Sequence, residues 1–258
     1  MFDVTRIQRS GLVARVDFHE SLGSTSDWAL KLAAAGESPL PLLVLAEKQT
    51  DGRGRGTNRW WSADGALTFS LIMEASPESL APNRWPQISL SAGLAVCEML
   101  EEFLPRHDCR IKWPNDVFVG DRKICGILCE SAPGWRDRIV LGIGLNVNNS
   151  LAHAPLEVRQ TAVSLIDAAG GAYDRTGVLL SLLDRFEQRW RQLIAGQFVD
   201  QTAAFRQRCF LTGKMLTIVC GSKTHVGRCQ GIDDAGELLL QTESGLGRFV
   251  AGTIVVCE

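Results

Sequence analysis

Two stretches of this 258-residue chain hold residue types that act on anions. The first, EKQTDGRGRGTNRWWSADGALTFS (47–70), sets Arg53 and Arg55 among Gly52, Gly54 and Gly56 and follows them with Trp60 and Trp61. Glycine lets backbone N–H groups approach an anion because no Cβ intervenes. The guanidinium forks suit phosphate or carboxylate, and the indoles offer flat apolar faces to a ring. The pattern reads as a lid over an anionic ligand with an aromatic clamp; Arg/Gly tracts of nucleic-acid-binding tails are its other common use. The second stretch, KWPNDVFVGDRKICGILCE (112–130), places Asn115 and Asp116 just after Pro114, at the corner where a strand turns into a hairpin. Asp116 there either holds Mg²⁺ or accepts a proton, or it makes an Asx-turn that starts the hairpin. Lys123 either enters a cleft or is a solvated hairpin lysine. Gly126 marks either a close approach or a bulge. Gly142-Ile143-Gly144-Leu145-Asn146 repeats the theme: a strand with two glycines that admits either a ligand or tight helix packing.

Elements that must position these residues follow from periodicity and breakers. Alternation over 12–19 predicts a strand, and Ser24-Thr25-Ser26-Asp27 then offers helix caps, with Trp28, Leu32 and Ala35 at helical spacing and Gly36 as the stop. Strands are predicted at 41–47, 66–73, 109–113 and 138–147, with a hairpin over 117–130 turning at Gly120-Asp121. Helices are predicted over 88–103, 176–193 and about 199–208. Beyond Leu211 short β-like runs alternate with Gly and Asp turns, which predicts a small barrel-like module with its boundary near 208–213.

Taken one at a time, the candidate residues admit either reading. As an ordered set they resemble the motifs of biotin protein ligases: ST (24–25), Q-x-x-GRGR (49–55), W-x-S (60–62), KWPND (112–116), K-x-x-GIL-x-E (123–130) and GIGLN (142–146), with GRCQGIDDAGELLL resembling that family's C-terminal β-domain. The resemblance implies an α+β fold, a class II synthetase-like mixed sheet with flanking helices plus a small C-terminal SH3-like β-barrel. It implies a catalytic biotin- and ATP-binding domain over 1–210 and a C-terminal domain over 211–258. It implies ATP-dependent activation of biotin to biotinyl-5′-AMP, with Mg²⁺, and transfer to a lysine of the biotin carboxyl carrier domain of acetyl-CoA carboxylase or a related carboxylase.

The same resemblance assigns roles. Ser24, Thr25, Ser26 and Gln49 match positions around the biotin head, where a neutral ureido ring needs donors and acceptors rather than charge. Arg53, Gly54 and Arg55 match the loop over the biotin carboxylate and the phosphates, with Gly52 on its nucleotide side. Lys123 matches the lysine at the carboxylate and α-phosphate, and Gly126 the glycine that lets biotin lie close to the strand. Asp116, with Asn115, matches a position for the metal or the incoming lysine amine; Trp60 matches the adenine-stacking tryptophan, and Asn146 a position near the nucleotide. Many bacterial members continue the loop as GRGRRGR, whereas GRGRGTNR is closer to eukaryotic holocarboxylase synthetases, and IVVCE at the C-terminus lacks the arginine that touches nucleotide in some members.

Bulk properties set the outer limits. A composition 45% hydrophobic and 22% charged is that of an ordinary globular protein, and a net charge of −2 argues against a dedicated nucleic-acid binder. No apolar run spans a bilayer and MFDVTRIQRS has no apolar signal core, which predicts a cytoplasmic protein without membrane contact. Only about 20 residues precede Ser24, too few for a helix-turn-helix domain, so no DNA partner is expected. Eight scattered cysteines and four histidines show no metal-ligand spacing, and the thiols read as buried and reduced. Family members occur as monomers and as dimers, so a homodimer is admitted. The rival readings are a lipoate or octanoyl protein ligase, a non-catalytic biotin-binding protein, and an RNA-binding module built on the Arg/Gly loop.

Overall fold

The computed structural model describes residues 1–135 and 137–257. Its first element, α1 (Val4–Arg9), is too short to show a period in the sequence. It is fixed instead by a cap and by burial. The Asp3 carboxylate accepts the Arg6 N–H at 2.9 Å, and Phe2 and Ile7 are buried. Each strand and long helix expected from the sequence is present, with ends displaced by a few residues: β1 (Arg15–Leu22), α2 (Thr25–Ala34), β2 (Leu42–Gln49), β3 (Leu67–Glu74), α3 (Pro86–Phe103), β4 (Cys109–Lys112), β5 (Asp116–Val119), β6 (Arg122–Ser131) and β7 (Arg138–Leu145). Two short helices not signalled by the sequence, α4 (Leu156–Thr161) and α5 (Leu165–Ala169), lead to α6 (Arg175–Ile194) and α7 (Val199–Arg208).

The strands β1 to β7 form one sheet in the order β1-β2-β3-β7-β6-β5-β4. Only β1 and β2 pair in parallel; the other neighbours are antiparallel, so the sheet is mixed. Both faces of its centre are covered, which is why β2 and β3 read as unbroken apolar runs rather than alternating ones. Leu43, Leu45, Phe69 and Leu71 point to the side where α3 and α6 pack. Leu42, Val44, Ile72 and Val140 point to the other side, against Ala29 and Ala33 of α2. Alanines at those two positions let the helix axis come close to the sheet. Ser24 starts α2 by accepting the Asp27 N–H at 3.3 Å, a cap of a kind that contributes about 1 kcal/mol. It therefore holds the first turn of α2 against the sheet, next to Gln49 at the end of β2.

The C-terminal strands β8 (Met215–Cys220), β9 (Lys223–Ile232), β10 (Leu238–Thr242), β11 (Gly245–Phe249) and β12 (Thr253–Cys257) form a separate antiparallel sheet in the order β11-β10-β9-β8-β12. The separate five-stranded sheet stands where the resemblance implied a small SH3-like β-barrel; among the described residues β11 and β12 do not pair. Polar contacts seat this sheet on the larger unit: the buried Trp113 indole donates to Gly236 O at 3.2 Å and Gln87 Nε2 donates to Ala235 O at 3.0 Å. Gly236 sits at φ +87° with Leu90 and Phe198 pressed against its Cα, so a side chain there would collide with the helices beneath.

Of the thiols counted in the sequence, that of Cys257 lies outside the described residues. Burial pushes the Cys125 thiol well up and that of Cys129 up to about 12, which keeps them protonated and inert. Cys209 differs. A hydrogen bond from the Cys229 thiol lowers its pKa to about 6 against the opposing effect of burial, assisted by the Thr212 hydroxyl and the Leu211 and Thr212 N–H groups. A depressed acid contributes stability that is absent below its folded pKa and grows up to its unfolded one. Cys209→Ser is therefore expected to lower the melting temperature more at pH 8 than at pH 6. A pH-independent difference in thermal melts would show that no thiolate is stabilised there.

Candidate active site

A cleft of about 620 Å³ opens on the α2 side of the central sheet, roofed by the loop after β2 and closed at one end by the C-terminal sheet. Its floor exists because β6 and β7 carry glycine where they cross it. Gly126 pairs with Gly144, and Gly142 precedes Gly144 by two residues on β7. A Cβ on Gly144 would lie 2.5 Å from Trp60 Cε2, and one on Gly142 2.4 Å from Ser26 Oγ. Any larger residue would fill the space these side chains now occupy.

One end of the cleft is lined with neutral polar groups. Gln49 Oε1 accepts the Thr25 N–H at 2.7 Å and the Thr25 hydroxyl at 3.0 Å. Ser70 Oγ donates to Thr25 Oγ1 at 3.0 Å and lies 3.2 Å from Ser26 Oγ. Ser24, Thr25, Ser26, Gln49 and Ser70 are all buried. Ser24, Thr25, Ser26 and Gln49 line the cleft with Ser70 behind them, and the remaining lone pairs and hydroxyl protons of these four can bind an uncharged polar ring. Ser70 is missing from the sequence-derived set, although a serine inside the apolar run ALTFSLIM was a readable signal: a buried polar side chain in a strand needs a partner.

The other end is cationic. A β-bulge decides the direction of Lys123. In β5 and β6 the register runs Asp116 to Gly126 and Val117 to Cys125, then slips so that Phe118 faces Lys123. In an unbroken strand Lys123 would share a face with Cys125 and Ile127, toward α3. The extra residue turns it onto the face of Gly126 and into the cleft. Its Nζ lies 2.6 Å from Asp116 Oδ1 and 5.7 Å from the centre of the Trp60 ring. Asn115 Nδ2 donates to Ile127 O at 2.7 Å, fixing the corner that carries Asp116. Lys112 and Arg59 also line the cleft. The Trp60 ring lies over Gly126 and Gly144, and its indole N–H is buried with no acceptor among the described residues.

The roof is a small hairpin. Gly54 N donates to Asn58 O at 2.8 Å and Trp60 N to Gly52 O at 2.8 Å. Arg55 Nη1 donates to Gly252 O at 2.8 Å, so the loop leans on the C-terminal sheet, whose residues Gly252, Thr253 and Ile254 close the cleft. Arg53 is placed otherwise than expected. Its guanidinium makes a two-pronged bond to Glu130, at 3.1 and 2.6 Å, and its Nε lies 2.7 Å from Asp27 Oδ1.

Of the residues picked from the sequence, the structure gathers Ser24, Thr25, Ser26, Gln49, Arg53, Gly54, Arg55, Trp60, Asn115, Asp116, Lys123 and Gly126 around this one cleft. Two do not face it. Gly52 packs against the Trp60 carbonyl, where a Cβ would stand 2.6 Å away, so it shapes the loop rather than lining the cleft. Asn146, just beyond β7, is buried in a separate network: its Nδ2 donates to Val163 O at 3.1 Å and its Oδ1 accepts from Asn149 Nδ2 at 2.9 Å. Strand alternation past Gly144 does not reveal that the chain turns away there.

The biotin/lipoate A/B protein ligase family model matches residues 19–148, and the biotin protein ligase C-terminal domain model matches residues 213–256. The bifunctional ligase/repressor BirA of Bacillus subtilis is 34% identical over 241 residues, covering 92% of this chain and 72% of that protein. The biotin–[acetyl-CoA-carboxylase] ligase of Mycobacterium tuberculosis is 33% identical over 247 residues, covering 93% of this chain and 88% of that protein. The chain belongs to the biotin/lipoate A/B protein ligase family. The solved structure of the biotin protein ligase from Aquifex aeolicus in complex with biotin and ATP superposes with a TM-score of 0.81 at 28% identity, covering 93% of this chain and 97% of that one.

In this family member the cleft has a neutral polar end and a cationic end, as a substrate with an uncharged ring and an anionic tail requires. No cluster of three His, Cys, Asp or Glu that could hold a metal occurs among the described residues. Among the described residues Asp116 is the only carboxylate lining the cleft. That fits Mg²⁺ in the mode where one carboxylate, phosphate oxygens and water share the ion, not an all-protein cage. Gly144→Ala is expected to preserve the fold but lift the Trp60 ring off the floor. Nucleotide affinity measured by calorimetry should then fall by roughly five- to a hundredfold, the range for losing one base–aromatic stack. Unchanged affinity would remove Trp60 from the ligand surface.

Proposed function

We propose that the protein is an ATP-dependent biotin–[biotin carboxyl carrier protein] ligase. The observation that carries this reading is the single cleft in which the Thr25–Gln49–Ser70 network, the glycine floor and Lys123 converge under the Arg55 loop. The reading divides the chain into a catalytic unit over 1–210 and a C-terminal module over 211–258, the latter supported by the separate sheet of β8 to β12.

The chemistry is one adenylyl transfer followed by one acyl transfer. The biotin carboxylate attacks the α-phosphorus of ATP; the bond to pyrophosphate breaks and biotinyl-5′-AMP forms. A lysine amine of the carrier domain then attacks the acyl carbon, and AMP leaves as the amide forms. The first step brings two anions together, so its barrier is largely electrostatic. Lys123 serves it as a point charge placed by the bulge in β6, with the Trp60 face beside it for the adenine. Ser24, Thr25, Ser26 and Gln49, backed by Ser70, take the ureido ring, and Gly126 leaves room for it. Asp116 would hold Mg²⁺, which would offset phosphate charge when bound.

Asp116 faces Lys123 at 2.6 Å. That pair holds the ammonium in place, and leaves the carboxylate available to the incoming amine once phosphate engages Lys123. Arg55, Gly54 and the C-terminal residues Gly252 to Ile254 exclude water from an anhydride that water would hydrolyse. The acceptor this reading favours is the carrier domain of acetyl-CoA carboxylase, the substrate named for the Mycobacterium tuberculosis relative.

Incubation with MgATP and biotin, lipoate or octanoate in turn, with pyrophosphate release as readout, tests substrate choice; biotin alone should give release. Adding a biotin carrier domain should give a streptavidin-reactive product with the mass increase of one biotinyl group. Release with lipoate but not biotin would replace this reading by the lipoate one. Lys123→Ala is expected to slow pyrophosphate release at least ~10²-fold, the scale of losing one electrostatic contact to the reacting centre. Near-normal release would exclude Lys123 from that role. Arg55→Ala is expected to bind biotin more weakly and to shed the adenylate into solution, where it is counted by chromatography; retention at the wild-type level would exclude Arg55 as part of the lid.

A further inference from the structure

On the cleft side of the sheet α2 covers β2, β3 and β7, while β4 and β5 have their packing helix, α3, on the opposite face. The cleft face of β4 and β5 is therefore a ledge that runs from the cleft to the sheet edge. Strand alternation decides what stands on it. Lys112 pairs with Asp116 and Arg110 with Phe118, and these four share the ledge while Ile111, Val117 and Val119 point into the core. Arg110 is exposed, and Lys112 and Phe118 are half-buried. Lys112 and Asp116 also line the cleft, so cleft and ledge are one continuous surface.

An aromatic pair forms the floor of the ledge. The Phe118 ring stacks on that of Phe210, with centroids 4.9 Å apart and 24° between the planes. Phe210 N donates to Ile111 O at 2.9 Å, which lays the chain leading into the C-terminal sheet along the edge of β4. A lysine stands at each end of the pair. Lys112 Nζ is 5.8 Å from the Phe118 centroid, and Lys214 Nζ is 3.7 Å from that of Phe210. The ring faces hold the ammonium groups in place without neutralising them. Arg110 is paired with Asp108 at 2.5 Å and Asp116 with Lys123; among the described residues neither Lys112 nor Lys214 has a carboxylate partner. The ledge is thus apolar along its middle and positive at both ends.

We propose that this ledge docks the turn of the carrier domain that bears the acceptor lysine, with carboxylates near that lysine meeting Lys112 and Lys214 and an apolar neighbour lying across Phe118. The inference rests on the ligase reading and adds to it the surface that receives the protein substrate. In the transfer step an amine must reach the acyl carbon beside Lys123 and Asp116. A lysine side chain is one unbranched arm, so the backbone that bears it lies on surface adjoining Asp116, and the ledge adjoins Asp116 directly. Charge selects the partner: two ammonium groups without a carboxylate favour an acidic turn and repel a basic one. A carrier must also leave after each turnover, which suits a small surface guided by charge better than a broad apolar one.

Titration of the full chain, supplied with biotin and MgATP, with the unbiotinylated carrier domain of acetyl-CoA carboxylase tests the ledge. Lys214→Glu is expected to raise the half-saturating carrier concentration about tenfold, the scale of setting a like charge at the rim of an interface. Pyrophosphate release with biotin, and transfer at saturating carrier, should stay within about twofold of wild type, because only carrier binding has changed. Lys31→Glu makes the same change of charge on an exposed turn of α2 and should leave the titration at its wild-type value. Added NaCl should raise the half-saturating concentration of the wild type more steeply than that of Lys214→Glu. Acidic residues near the acceptor lysine of the carrier, reversed to lysine one at a time, should yield a carrier that Lys214→Glu takes better than the wild type does. A titration of Lys214→Glu equal to wild type overturns the ledge. So does an equal shift in Lys31→Glu, which would be an effect of net charge alone, or the failure of every reversed carrier to favour the variant. In each of these cases pyrophosphate release by the wild type keeps the ligase reading; a wild type that releases none with biotin ends both.

Discussion

The cleft depends on missing side chains. Two central strands cross beneath it, and at Gly126, Gly142 and Gly144 they present only backbone. A sheet packed on both faces is otherwise filled to crystal-like density, so a ligand has room only where side chains are withheld. On the far face the same strands carry Cys125, Ile127, Leu141, Ile143 and Leu145 into the core under α3. The sheet thus has one face for stability and one for binding, and period-two alternation keeps them apart.

Around that floor the polar groups sort by charge. The hydroxyls and amide at the start of α2 and the end of β2 and β3 form a neutral network, buried and internally satisfied, at little electrostatic cost. The charged groups gather at the other end, where the loop, the KWPND corner and the C-terminal sheet meet, and there each cation has a partner: Lys123 with Asp116, Arg53 with Glu130 and Asp27, Arg55 with a carbonyl. A substrate with an uncharged head and an anionic tail can enter such a cleft in only one direction without stranding a charge. The direction of binding is therefore built in before any specific contact is made.

The C-terminal sheet acts as a wall of the site and not as an appendage. Trp113 of KWPND is buried against it, and Arg55 of the glycine loop is bonded to it. Both signature motifs thereby touch a module that begins only at Met215, far beyond either in sequence, and its displacement would loosen the roof and the corner together.

The sequence by itself determined the elements and the chemical inventory. Alternation, caps and glycine stops located the strands and long helices, because those signals are local. The ordered motifs identified the family and most of the cleft residues, because their types, not their coordinates, carry the chemistry. Tertiary structure decided direction and partnership. A one-residue bulge turned Lys123 into the cleft; a turn after β7 took Asn146 out of it; two carboxylates far apart in sequence captured Arg53; and Ser70, one serine among apolar neighbours, became part of the polar network. Each of these is set by groups brought together only when the sheet has formed, and no local pattern encodes which side chain will be waiting there.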